Sequence, residues 1–298
     1  MENSVLMLVN PAAGRSMSNV ALGSAVSALC EAGYVPEVVY TVHPGSISDQ
    51  VASLAADQER LICLGGDGTL SDTIAGLMQL PPERRPLLGY IPMGTANDVA
   101  TTLGLPMRQP RKAVERILHG TPLCYDVGEM EGIGYFSYIT AFGAFTEISY
   151  KTDQNMKKAL GHLAYVLNGI TALNAIKPIH ARVETDAETV EGDYIYGAVS
   201  NSLSVAGLVK MDPHQVDLSD GLFEILLVEK PASAQELSSI VTGVLNQNYD
   251  HAHLRLLHAS RVKFSFAAPV SWTRDGENGG EHTELTLSCH QHAVNICR

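Results

Sequence analysis

Short apolar runs alternate with stretches of helical periodicity through the first 120 residues. Val5–Val9 is fully apolar and of strand length, and Val20, Ala21, Ala25, Val26 and Leu29 follow at helical spacing, closing at Gly33. Next come Glu37–Tyr40, a helical pattern over Ile47–Ala56, the apolar run Leu61–Leu64 and a helix opening at Thr69. Leu87–Ile91 is a further strand, with helices expected near Thr95–Leu103 and Arg111–Leu118. Strands this apolar are buried on both faces, so their alternation with helices predicts a parallel sheet covered on each side.

Past Pro122 the periodicity changes. Ile179–Val183 turns through Asp186 and Ala187 to Val190 and Tyr194–Val199, and Leu222–Val228, Arg261–Phe266 and Glu284–Leu287 follow with turn residues between them. Helical stretches interrupt them at about 156–175 and at Ala234–Leu245. The expected fold is α/β: an N-terminal three-layer α/β/α domain over residues 1–122 and a C-terminal antiparallel β-sandwich with helical inserts over residues 123–298. The tail from about 290 to 298 is expected to pack back on the first domain.

Composition narrows the class. The 298 residues are 45% hydrophobic and 17% charged, which describes a globular protein with ample core. Met1–Ser4 has no basic leader, Val5–Val9 is too short for a signal peptide, and no apolar stretch is long enough to span a bilayer. The five cysteines are scattered without a Cys-x-x-Cys pair, which fits reduced thiols in a cytoplasmic protein. A net charge of −12 argues against a nucleic-acid partner and weakens any general attraction to anionic lipid.

Three glycine-bearing loops fall at the ends of predicted strands. They are Asn10-Pro11-Ala12-Ala13-Gly14-Arg15, Gly65-Gly66-Asp67-Gly68-Thr69, and Pro92-Met93-Gly94-Thr95-Ala96-Asn97-Asp98. Parallel sheets bind ligands beyond the carboxyl ends of their strands. Glycines there expose backbone N–H groups that suit phosphate. Asp67 would repel bare phosphate, so it belongs there if it holds Mg²⁺ or water, or if it accepts hydrogen bonds from the loop. The plainer alternative is a glycine-rich turn with a solvated aspartate. No lysine follows a glycine, which excludes a P-loop, and Ser71 stands where a dinucleotide fingerprint needs its third glycine.

These loops, with the late segment Asp275-Gly276-Glu277, resemble the diacylglycerol kinase catalytic-domain family, in particular its soluble bacterial lipid kinases. The resemblance covers nearly the whole chain in order. It implies ATP and Mg²⁺ as cofactors and a lipid alcohol as acceptor, with diacylglycerol converted to phosphatidic acid. Asn10, Pro11, Ala12, Ala13, Gly14, Thr41, Gly65, Gly66, Asp67, Gly68, Thr69, Leu70, Ser71, Thr95 and Asn97 would line the ATP site. Asp67, Asp98 and Asp126 would form a carboxylate–water–Mg²⁺ network, and Glu277 would be the general base. A surface Asp-Gly turn is the plainer reading of the last motif.

Asp217-Leu218-Ser219-Asp220-Gly221-Leu222 resembles the family's structural metal site, with Asp217, Asp220 and the Leu222 carbonyl as ligands to a hard cation. A capped loop ahead of a strand is the alternative. The pairs His251/His253 and His290/His292 lack the partners a zinc site needs. The apolar stretch Leu160–Ile176, flanked by Lys151, Lys157, Lys158 and Lys177, reads as a helix packed on the sandwich, or as a face that meets a membrane surface transiently during turnover. A homodimer is compatible with all of this. Two departures from the family pattern, Ser71-Asp72 and Gly143-Ala144-Phe145-Thr146, bear on acceptor choice. Two other functions share parts of the pattern: an NAD kinase, and a catalytically silent nucleotide-binding regulator.

Overall fold

The computed structural model describes residues 3–11, 18–41, 46–143, 177–202, 204–205, 209–210, 216–249 and 252–298. The helix expected over 156–175, with Lys151, Lys157 and Lys158, lies outside the described residues. The chain divides into two compact units, one of Met1–Val127 with His290–Arg298 and one of Gly128–Cys289.

In the first unit β1 (Ser4–Val9), β2 (Val35–Tyr40), β3 (Arg60–Gly65) and β4 (Leu87–Pro92) form a parallel sheet in the order β4-β3-β1-β2. Among the helices are α1 (Ser18–Glu31), α2 (Ser46–Leu54), α3 (Asp67–Met78), α4 (Asp98–Thr102) and α5 (Pro110–His119). Val5, Met7 and Val9 share a core with Ala21, Ala25 and Leu29 of α1 and with Ala113, Val114 and Ile117 of α5. The strand period of two turns Leu6 and Leu8 to the opposite face, where they are equally buried. That alternation explains the fully apolar strands: each face of the sheet is covered. The chain leaves β1 towards β2 but leaves β3 towards β4, the opposite direction, which puts a topological switch point between β1 and β3.

The chain end completes this sheet. The last part of β15 (Glu277–Cys297) runs parallel to β4, with Ile296 opposite Leu88. Thr121 N–H donates to Arg298 O at 3.1 Å and Arg298 N–H returns to Thr121 O at 3.2 Å. Arg85 Nη1 donates to Ala293 O at 2.7 Å.

The second unit is antiparallel. After β5 (Pro122–Met130) come β6 (Gly134–Phe136), β7 (Ile139–Gly143), β8 (Ile179–Thr185), β9 (Thr189–Ser200) and the two-residue strands β10 (Ser204–Val205) and β11 (Val209–Lys210). Then follow β12 (Phe223–Glu229), the helix α6 (Ala234–Leu245), β13 (Leu254–Ala259) and β14 (Arg261–Arg274), which leads into β15. β9 pairs with β7, β7 with β14, β14 with β8, and β8 with β9 again, so the strands fold over a shared core as a sandwich. Aromatic rings fill it: Trp272 packs on Phe142 and Phe264 with centroids 4.9 and 5.0 Å apart. The strands expected at Arg261–Phe266 and Glu284–Leu287 are parts of this long β14–β15 hairpin, which continues because its bulges let it bend.

Candidate functional site

Three of the strand ends lie side by side, because β1, β3 and β4 are neighbours in parallel register. Asn10 N–H donates to Leu64 O, Met93 N–H to Gly65 O and Thr41 N–H to Val9 O. The loops are also tied to one another. Asn10 Nδ2 donates to Thr69 Oγ1 at 3.0 Å, and a Cβ on Gly94 would come within 2.7 Å of Gly66 Cα. Any side chain at 94 would therefore push the second and third loops apart. Ala12, Ala13 and Gly14 lie outside the described residues.

The helix after the second loop opens at Asp67, two residues before the expected Thr69. Gly66 is its extended N-cap and offers no side-chain cap. Leu70 N–H donates to Gly66 O, so the N–H groups of Asp67, Gly68 and Thr69 have no partner within the helix. Gly68 is exposed, and among the described residues nothing stands within 4 Å of a Cβ built there. Leu70 and Thr69 are buried, so they support the turn from inside. Ser71 is half-buried and Thr95 and Pro11 are exposed.

Asp67 is the electrostatic centre of this arrangement. Burial, and then the charge of Asp98, push its pKa up to about 6, while the N–H groups of Asn97, Asp98 and Val99 pull it down by donating to it. The carboxylate thus reaches from the first turn of α3 to the start of α4. Its Oδ1 is buried and has no hydrogen-bond partner among the described residues. Asp98 is 2% exposed, and Asp126 on β5 is fully buried, with Oδ1 accepting the His292 N–H at 2.6 Å.

The helix expected over Thr95–Leu103 is shorter. Asn97 sits left-handed, at φ 53°, and its amide is engaged within the loop. Its Oδ1 accepts from Gly94 N–H (2.9 Å) and Tyr90 O–H (3.2 Å), and its Nδ2 donates to Gly94 O (2.8 Å). Buried as it is, Asn97 shapes the loop that a ligand would meet. Asparagine tolerates this backbone better than most residues, which is the signal its sequence position carries.

In the second unit Asp275 and Gly276 form a two-residue hairpin turn, with φ of 47° and 83°, and Arg274 pairs opposite Glu277. Glu277 is exposed at the first position of β15. Asp275 is buried, and its carboxylate accepts from Ser137 N–H (2.6 Å), Ser137 Oγ (2.9 Å), Tyr138 N–H (3.0 Å) and Ile139 N–H (3.1 Å). Its own N–H donates to Ile139 O at 2.8 Å. Asp275 therefore clamps the tip that presents Glu277, a role the motif alone did not reveal.

Asp217 and Asp220 are exposed, and each spends one oxygen on a backbone N–H two residues on, of Ser219 (3.0 Å) and Leu222 (2.9 Å). Leu222 immediately precedes β12. His253 lies between Glu236 (3.5 Å) and Glu229 (3.9 Å), while His251 is outside the described residues.

Residues 4–130 match the family model described as the diacylglycerol kinase catalytic domain, and residues 142–298 match the YegS C-terminal NAD kinase beta sandwich-like domain. Among similar proteins, a diacylglycerol kinase of Bacillus subtilis is 30% identical over 92% of this chain and 89% of its own. One of Staphylococcus saprophyticus is 31% identical over 98% of this chain and 94% of its own. The chain belongs to the diacylglycerol kinase family. It is a lipid kinase of the bacterial type by that membership. The crystal structure of a diacylglycerol kinase from Bacillus anthracis str. Sterne shares its fold, with a TM-score of 0.76 at 22% identity, covering 99% of this chain and 96% of that one. The mixed α/β domain and the antiparallel sandwich read from the hydrophobic pattern are thus the family's fold. Among the described residues no helix is long and apolar enough to cross a membrane.

Proposed function

We propose that this lipid kinase transfers the γ-phosphate of ATP to a lipid hydroxyl, with diacylglycerol as acceptor and phosphatidic acid as product. The observation that carries the reading is the Asp67 carboxylate, with a buried oxygen lacking a partner among the described residues, at the N-terminus of α3 where the loops join. The amides of Asp67, Gly68 and Thr69 are suited to phosphate oxygens. Asp67, with Asp98 and Asp126, supplies hard oxygen donors that fit Mg²⁺ or its waters. Such an ion offsets phosphate charge during transfer. Asn10 and Asn97 keep the loops in shape through the bonds described above. Glu277 accepts the acceptor's hydroxyl proton as the new P–O bond forms and the bond to the ADP oxygen breaks. Because the acceptor resides in a bilayer, turnover requires transient contact with a membrane surface.

The names of the curated relatives support diacylglycerol over NAD as acceptor. Radiolabelled ATP incubated with mixed micelles of candidate lipids, and separately with NAD, tests this. Label in the organic phase is expected with diacylglycerol. Label in NADP would transfer the assignment to an NAD kinase, and label in neither would favour the silent regulator.

We also propose that Asp217, Asp220 and the Leu222 carbonyl hold a structural hard cation, Mg²⁺ foremost. Each carboxylate keeps one oxygen beyond its turn, the donor type such an ion takes. Added Mg²⁺ is expected to raise the melting midpoint of the parent protein by binding the folded state, and to do so less for Asp220→Ala. An Asp220→Ala protein protected as well as the parent would end this assignment.

A further inference from the structure

Phosphoryl transfer calls for positive charge around the phosphates, yet the side chains gathered at the loops of the first unit include the carboxylates Asp67 and Asp98. Arg108 brings a cation to the third of these loops. Its Nη2 lies 3.5 Å from Gly94 O, at the long limit of a hydrogen bond. Its backbone N–H donates to Pro92 O, at the end of β4, at 3.3 Å. Its φ is 52°, a left-handed conformation that residues other than glycine adopt at a cost. Among the described residues no carboxylate forms an ion pair with it, and the side chain is exposed.

Gly94 connects this side chain to the anion seat. Its backbone packs against Gly66, the N-cap of α3, whose first-turn amides are open. A latch to one carbonyl at the limit of contact uses little of a guanidinium, which presents several further N–H groups in a planar fork suited to phosphate. We infer that Arg108 binds the phosphates of the nucleotide in this site, an assignment that rests on the ATP reading above. The strained backbone at 108 is then the cost of aiming that fork along the loop edge.

The decisive variant is Arg108→Gly, because glycine adopts the left-handed backbone freely while the charge is lost. Its melting midpoint without ligand is expected to equal or exceed the parent's. Its KM for ATP should rise by about 10- to 100-fold, the scale of a lost charge-assisted hydrogen bond. Calorimetry with ATP, ADP and AMP should show the loss shrinking as phosphates are removed, and Arg108→Lys should recover part of the ATP affinity. A mere loop latch predicts another pattern, a lowered midpoint with equal losses for all three nucleotides, and that result would overturn the inference. If the parent binds ATP and Arg108→Gly binds it as tightly, the Arg108 assignment alone falls. If the parent binds no ATP, the nucleotide reading of the site falls and takes this inference with it.

Discussion

Glu277→Gln is expected to lower kcat by about 10²-fold or more while ATP affinity and the melting midpoint stay at the parent's values. Glutamine keeps the length and hydrogen-bonding capacity of the side chain but cannot take a proton. Glu277 is exposed at the start of β15, so the substitution removes no core contact. Asp275→Ala, two residues away, should behave differently. It strips the carboxylate that accepts from Ser137, Tyr138 and Ile139. Leaving a buried donor unsatisfied costs about 1–3 kcal/mol. Alanine also resists the left-handed turn at 275. This variant should lose several degrees of melting midpoint as well as activity, because the hairpin tip loses its shape. Single-turnover rates and thermal melts of the two proteins, measured side by side, separate proton transfer from positioning. A fully active Glu277→Gln enzyme would refute the general-base assignment.

Asp67→Asn should abolish transfer and yet stabilise the protein in the absence of ligand at pH 7.5. Burial and the neighbouring charge of Asp98 hold the folded-state pKa at about 6, above the ordinary value of 3.8. Between those two values the folded protein binds more protons at this group than the unfolded chain does, so stability falls as pH rises through the window. Above pH 6 the ionised carboxylate opposes folding, and below about 4 it contributes no difference. Asparagine removes the charge while its carbonyl still accepts from the N–H groups at the start of α4. The midpoint of Asp67→Asn should therefore exceed the parent's at neutral pH by a few degrees and converge with it in acid. Addition of ATP and Mg²⁺ should reverse the order, because only the parent gains the full stabilisation of ligand binding. The parent's kcat/KM, which reports the free enzyme, should in turn decline as pH drops through about 6, where a proton occupies the carboxylate. Melts from pH 4 to 8, with and without ATP and Mg²⁺, check every part of this; an Asp67→Asn protein that turns over lipid at the parental rate would refute the role of Asp67.

The elements whose residues are uniformly apolar were legible without the structure. Leu61–Leu64 and Leu87–Ile91 read as strands buried on both faces because nothing else accommodates such runs at that length. Gly65, Gly66 and Gly68 marked the junction of β3 and α3, the place proposed above for phosphate, because their lack of Cβ is a local property, independent of what surrounds them. The helix starts were less legible. Asp67 opens α3 because Gly66 caps it with its backbone alone, and α4 begins late because the Asn97 amide folds back on Gly94.

What the sequence by itself determined was therefore local: the change of period near residue 122, the apolar strands, and the glycine loops at their ends. Which loops meet was decided by strand order, since β1, β3 and β4 become neighbours only once the sheet is assembled. The raised pKa of Asp67 belongs to that level too, because its causes are burial and a carboxylate 31 positions further along the chain, Asp98. So does the clamp at Asp275, whose partners at 137–139 lie 136 to 138 positions away. Contacts at such separations have no period and no neighbouring signature in the sequence; they exist because burial forces polar groups to find partners, and only the folded chain determines which partners are within reach.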